Sequence, residues 1–283
     1  MKNMRRILVP VDFSPTSKKA FRYAIDIASK SGGTVILCHF FKPLKSSDAG
    51  APQNVREYNQ QFELNSLKRL QRLKKKVLTD TSEVVAVSTL VGRMPVVKNI
   101  LRFAENNHID LIVMGTQGAT GLKKITIGSI AAKVMEGSPV PVLLVPGKFV
   151  WKKPQTILFT TTISKSDNNA FPVLLSFANL YDAKITVVNL RDPHQLNGYK
   201  EKEEFEMYAY SVQRIFDDVN IQFRQVGTFS IEKTMANLYE EIPYDLLVMA
   251  RRKLDFLSRF LQKSFTKKMA HITTQPLLIL AEK

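Results

Sequence analysis

Gly115, Gly118, Gly121 and Gly128, with Ser129 directly after the last, have the residue types and spacing that suit a phosphate group. Glycines let the backbone come close to an anion so that its N–H groups can donate. Gly128-Ser129 also opens an apolar helical run, Ile130 to Met135, which would add the positive end of a helix dipole and a hydroxyl. A lone G-x-x-G is as readily an ordinary turn, but this one follows the apolar segment Leu111-Ile112-Val113-Met114. Asp12 is the second group of interest, because it ends another apolar run, Ile7 to Val11, and a carboxylate there can accept from sugar hydroxyls. Its alternative role is to cap the following helix, which Ser14 before Pro15 fills better. His39 and Cys38 read as structural strand residues rather than as ligand or nucleophile. Ser31-Gly32-Gly33 reads as a helix stop.

These groups need strands to carry them, and the order of elements supplies strands. Apolar, β-branched segments near 5–11, 34–40, 84–90, 110–114 and 141–145 alternate with helical patterns near 15–31, 55–80, 94–107 and 128–137. Buried strands joined by helical crossovers make a doubly wound parallel α/β sheet, in which ligands sit beyond the strand C-termini at the switch point. Asp12 and the glycine segment follow strands one and four, and so fall there.

The pattern then repeats. At an offset of 150, Ile7 to Asp12 aligns with Ile157 to Thr162, and Thr34 to Phe40 with Lys184 to Leu190; at 135, Asp110 to Gly115 aligns with Asp245 to Ala250, and Pro141 to Val145 with Pro276 to Leu280. The offset falls by 15 between positions 40 and 91, so the second copy is shorter there; in the first copy a Pro-, Gly- and Ser-containing stretch, Lys42 to Pro52, occupies the region. The joint lies at Pro146 to Pro154, which places the domains at 1–147 and 148–283.

The formal charge is +16 and uneven: residues 1–147 carry 22 basic and 10 acidic side chains, residues 148–283 carry 19 and 15. Lys68, Arg69, Arg72 and Lys74 to Lys76 alternate with Leu64, Leu67, Leu70, Leu73 and Val77, an amphipathic helix with a basic outer face. That face is read as solvated, with anion or nucleic-acid binding as the alternative. It lacks interleaved aromatics, so nucleic acid is disfavoured. The N-terminal apolar run is too short for a signal peptide, and no segment reaches about 18 apolar residues, so the expectation is a cytoplasmic protein off the membrane. One cysteine excludes an internal disulfide.

The spacing G-x2-G-x9-G-S after D-L-I-V-M and before P-V-L-L-V-P resembles the ATP-binding signature of the universal stress protein (UspA) family. The opening Ile7 to Ser14, the strand end Leu37 to Phe40, and Val91-Gly92-Arg93-Met94-Pro95 are similar to further landmarks of that family. The resemblance implies two tandem five-stranded, Rossmann-like (adenine nucleotide alpha hydrolase-like) domains. It implies ATP as ligand, with Mg the ion that would accompany it. By matching position, Pro10, Val11 and Asp12 would line adenine and ribose, Phe40 and Met114 would flank the base, and Gly115, Gln117, Gly118, Gly128, Ser129 and Ile130 would surround the phosphates. Gln117 stands where the family often has histidine.

In the second copy Gly115, Gly118, Gly121 and Gly128 become Ala250, Lys253, Phe256 and Lys263, and Asp12 becomes Thr162, so nucleotide binding in the family's manner is expected of the first copy alone. The resemblance further implies a nucleotide-dependent binding or regulatory module with an unknown protein partner. The two copies would pair through their fifth strands, Pro141–Val145 and Pro276–Leu280, as a pseudo-dimer, with a homodimer of chains as a further assembly. No Walker lysine or acidic metal pair accompanies the loop, and a slow ATPase or nucleotidyl-transfer enzyme is the alternative.

Overall fold

The computed structural model describes residues 4–44, 52–116, 127–161, 163, 167–195, 198–216, 219–250 and 274–281. The chain divides into two compact units, residues 3–147 and 148–283.

In the first unit the elements run β1 (Arg6–Pro10), α1 (Pro15–Ser31), β2 (Thr34–Phe41), α2 (Pro52–Thr79), β3 (Ala86–Arg93), α3 (Val96–Asn106), β4 (Leu111–Gly115), α4 (Ser129–Gly137) and β5 (Val142–Val145). The strand order is β3-β2-β1-β4-β5 and the pairs are parallel. Chain direction across the sheet therefore reverses between β1 and β4. Strand β3 runs to Arg93, beyond the expected end at 90, because β2 continues and the ladder holds Phe40↔Gly92 and Phe41↔Arg93. Gly92 permits this: a Cβ there would stand 2.6 Å from the Phe40 ring.

The second unit repeats the plan: β6 (Thr156–Thr161), α5 (Asp167–Tyr181), β7 (Lys184–Arg191), a 3-10 turn (Pro193–Gln195), α6 (Tyr199–Ile215), β8 (Ile221–Gly227), α7 (Ile231–Glu241), β9 (Leu246–Ala250) and β10 (Leu277–Leu280). Its strand order is β8-β7-β6-β9-β10, again with parallel pairs.

The repeat extends to single backbone groups. Asp110 accepts from the N–H groups of Arg5 and Arg6 at 3.0 and 2.9 Å, and Asp245 does the same for Gln155 and Thr156 at 2.7 and 3.0 Å. Each carboxylate ties the entry of its fourth strand to its first. Left-handed residues recur at matching places, Gly32 with Asp182 after the first helix, and Phe13 with Ile163 after the first strand. Among the described residues no helix is long and apolar enough to cross a membrane.

Helix α2 departs from expectation in which face it buries. Leu70, Leu73 and Val77 are buried, whereas Leu64 and Leu67 are 53% and 38% exposed. The buried seam runs through Val55, Asn59, Ser66, Leu70, Leu73 and Val77, spaced three, four or seven apart, and Leu64 and Leu67 fall off that stripe. Small polar Asn59 and Ser66 sit where leucines are expected. Asn59 is satisfied by the backbone of Leu44, accepting from its N–H at 2.9 Å and donating to its carbonyl at 3.1 Å.

Candidate functional site

The chain leaves β1 by a tight turn that sets the first wall of a cleft. Asp12 accepts from the N–H of Ser14 at 3.0 Å, Phe13 between them takes φ 65°, and Ser14 caps α1 by accepting from Ser17 N–H at 3.1 Å. Ser14 thus does the capping. The exposed Asp12 side chain closes the turn and faces the cleft.

The opposite wall comes from β4 and α4. Gly115 ends β4 against α1, and a Cβ on it would lie 2.7 Å from the Thr16 methyl and 3.1 Å from the Thr16 backbone carbon. Strand-to-helix contact therefore requires this glycine, independently of any ligand. Thr116 N–H donates to Val145, and Gly128 N–H donates to the Thr116 carbonyl at 2.5 Å, so the glycine segment leaves and returns at one point. Helix α4 then starts at Ser129 with Gly128 as N-cap and no side chain capping it. Helix geometry leaves the N–H groups of Ser129, Ile130 and Ala131 without intrahelical partners, at the positive end of the dipole.

The walls enclose a cleft of about 330 Å³ at the C-terminal ends of β1 and β4. Pro10, Val11, Asp12, Phe40, Met114, Gly115, Gly128, Ser129 and Ile130 all line it, while Gln117 and Gly118 lie outside the described residues. Lining residues that the sequence left unmarked are Ser17, Thr116, Ala131, Val96 and Ile100. The helical spacing of Val96 and Ile100 on one face of α3 was the available signal. Cys38 is fully buried in β2, and burial pushes its thiol well above the ordinary range.

His39 also lines the cleft, and its role is visible by comparison between the units. Its Nδ1 lies 2.8 Å from the Val11 carbonyl, an arrangement that makes Nδ1 the donor. In the second unit Asn189, at the matching position, donates to the Thr161 carbonyl at 3.1 Å. Both side chains satisfy the same carbonyl at the end of the first strand. Burial, the largest cause, with the Arg69 charge acting in the same sense, outweighs the Val11 bond and Asp12 and holds the His39 pKa below the ordinary histidine value.

A model of the universal stress protein family matches the chain twice, at residues 3–146 and 154–281. The chain belongs to the universal stress protein family. Universal stress protein MJ0577 of Methanocaldococcus jannaschii is 32% identical over 158 residues, covering 51% of this chain and 96% of that protein. Universal stress protein MJ0531 of the same organism is 30% identical over 148 residues, 50% of this chain and 81% of that one. Two solved structures share the tandem fold. A functionally unknown protein of Pseudomonas aeruginosa has a TM-score of 0.69 at 18% identity, covering 99% of this chain and 94% of that one. A universal stress protein of Archaeoglobus fulgidus has 0.67 at 15%, covering 99% and 97%.

Of this protein's two universal stress protein units, the second shows a different strand-end chemistry. Asn189 is fully buried, and its Oδ1 accepts from Arg191 at 2.9 Å and Gln225 at 3.2 Å, while Arg191 pairs with Glu204 at 2.6 Å. This polar network occupies the strand ends where the first unit has His39 and Phe41. Its predicted loop substitutions Lys253, Phe256 and Lys263 lie outside the described residues.

Proposed function

We propose that unit 3–147 binds an adenine nucleotide, ATP, in its cleft, and that the protein works as a nucleotide-dependent binding or regulatory module. The observation that carries this reading is one juxtaposition: the Asp12 carboxylate and the N-terminus of α4, which no side chain caps, face a single cleft at the switch point. A carboxylate suits sugar hydroxyls, and a helix start with a serine hydroxyl suits phosphate. Between them Pro10, Val11, Phe40 and Met114 supply an apolar surface for a flat base. The residues present fit the nucleotide. An Mg ion would travel with its phosphates rather than with a dedicated ligand set: no group of three or more His, Cys, Asp or Glu that could hold a metal occurs among the described residues.

The second unit lacks Asp12 and the glycines, so one nucleotide per chain is the expected stoichiometry. The test is calorimetry and native mass spectrometry of the full chain with ATP. One equivalent is expected for the wild type. Asp12→Ala should weaken binding at least about tenfold, the scale of losing hydrogen bonds to a charged group. Unchanged affinity in Asp12→Ala, or two equivalents per chain, would contradict the assignment.

A further inference from the structure

We propose that Arg69, which does not line the cleft, is a positioning residue for its Asp12 and His39 wall, acting through the ring of Phe13; the proposal rests on the nucleotide reading above. The Arg69 guanidinium carbon lies 3.9 Å from the Phe13 ring centroid. The Phe13 ring in turn meets the His39 imidazole at 4.6 Å, tilted by 48°. His39 holds the Val11 carbonyl, and Asp12 follows Val11 in the chain. A cation, a ring and an imidazole thus form one column beside the turn that carries Asp12.

The column bears on Asp12 because Phe13 needs holding. A bulky residue with positive φ persists only where its surroundings fix it, and Phe13 shares a peptide unit with Asp12. In contact with both guanidinium and imidazole, the ring keeps that peptide, and so the carboxylate, in place.

The second unit provides an internal comparison. Ile163 keeps the positive φ, at 55°, so that backbone conformation occurs in both units. It has no aromatic ring, and Asn189 replaces His39. At the offset of 135 the counterpart of Arg69 is Glu204, an acid, and it pairs with Arg191. The positive φ is therefore common to both copies, whereas the cation, ring and imidazole occur together only in the copy that keeps Asp12 and the glycines.

The full chain tests this with Arg69→Ala, Arg69→Lys, Phe13→Leu and the double variant Arg69→Ala/Phe13→Leu. The readouts are ATP affinity by calorimetry and the His39 ring titration by NMR without nucleotide. Among the described residues, the charged groups facing His39 are Arg69 from α2 and Asp12 from the turn. Arg69 is exposed, so its alanine variant spares folding. Arg69→Ala and Phe13→Leu should each weaken ATP about two- to five-fold, the scale of an exposed cation and ring contact, and Arg69→Lys should recover only part of the alanine loss because the planar fork is lost. The double variant should lose no more than the larger single loss, since the two residues act as one unit. Without nucleotide, the His39 midpoint should rise in Arg69→Ala and also move in Phe13→Leu, although the Arg69 charge remains there. Losses that add independently would overturn the proposal, as would a His39 titration that Phe13→Leu leaves unmoved. If the wild type takes up no adenine nucleotide, the function proposed above falls. The His39 titration still decides the column: movement in both variants upholds it, and an unmoved titration overturns it.

Discussion

Replacing Gly115 by alanine separates packing from ligand contact at the end of β4. The new methyl would stand 2.7 Å from the Thr16 methyl, closer than atoms tolerate, and 3.1 Å from the Thr16 backbone carbon, close enough that the neighbour must give by a few tenths of an ångström. Gly115 has no positive φ, so backbone strain does not enter and the cost is steric. Overpacking of this kind costs about 1–3 kcal/mol. Much of it should be relieved by Thr16→Ser, which deletes the nearer contact and by itself costs about 0.8 kcal/mol for one buried methyl. The double variant should therefore be more stable than Gly115→Ala alone, by about 1 kcal/mol or more. The protein's one tryptophan, Trp151, belongs to the other unit. Urea unfolding followed by far-UV circular dichroism, with hydrogen exchange resolved to α1 and β4, is the suitable assay. Gly115→Ala as stable as wild type, or a Thr16→Ser partner that recovers nothing, would refute the packing argument.

Asp245→Asn should destabilise unit 148–283 by about 1.5–3 kcal/mol, because the carboxylate receives charge-assisted bonds from two backbone N–H groups and Lys152 at 2.5 Å. Burial raises the Asp245 pKa, but these bonds outweigh it and hold the group below the ordinary aspartate value. The stabilisation is therefore present above the unfolded-state pKa and lost as pH falls through the folded one. Acid unfolding of the asparagine variant should show a flatter dependence over that window. His39→Asn, which copies the second unit, should keep the Val11 bond and stay within about 1 kcal/mol of wild type, while His39→Ala should cost about 1–3 kcal/mol by leaving that carbonyl unpaired; thermal unfolding distinguishes them. Leu70→Ala should cost about 2–5 kcal/mol and Leu64→Ala about 0.5 kcal/mol or less, since only the first is buried, and equal costs would contradict the seam assigned to α2.

Strand runs such as Ile7 to Val11 and Leu111 to Met114 were legible because a strand buried on both faces must be continuously apolar, and glycine spacing is visible as text. The repeat was legible for the same reason: two chain segments with one pattern must solve one packing problem. Ser14 as the cap of α1 could be read directly, since capping is decided within four residues. The α2 seam could not, because helical periodicity marks every apolar stripe, and neighbouring strands select the one that is buried. Gly115 looked like a phosphate glycine by its place in the motif. Its tight approach to Thr16 depends on a helix about a hundred residues earlier in the chain, which spacing alone does not bring near it.

By itself, then, the sequence determined the element order, the twofold repeat and the family, all properties carried by local periodicity and short motifs. Only the tertiary structure decided which side chains from separate elements meet. Arg69, Phe13 and His39 come from three separate elements, and their meeting is set by the parallel pairing of β1 with β2 and by the packing of α2. Long-range contacts of that kind are fixed by burial and register, and no pattern along one segment records them.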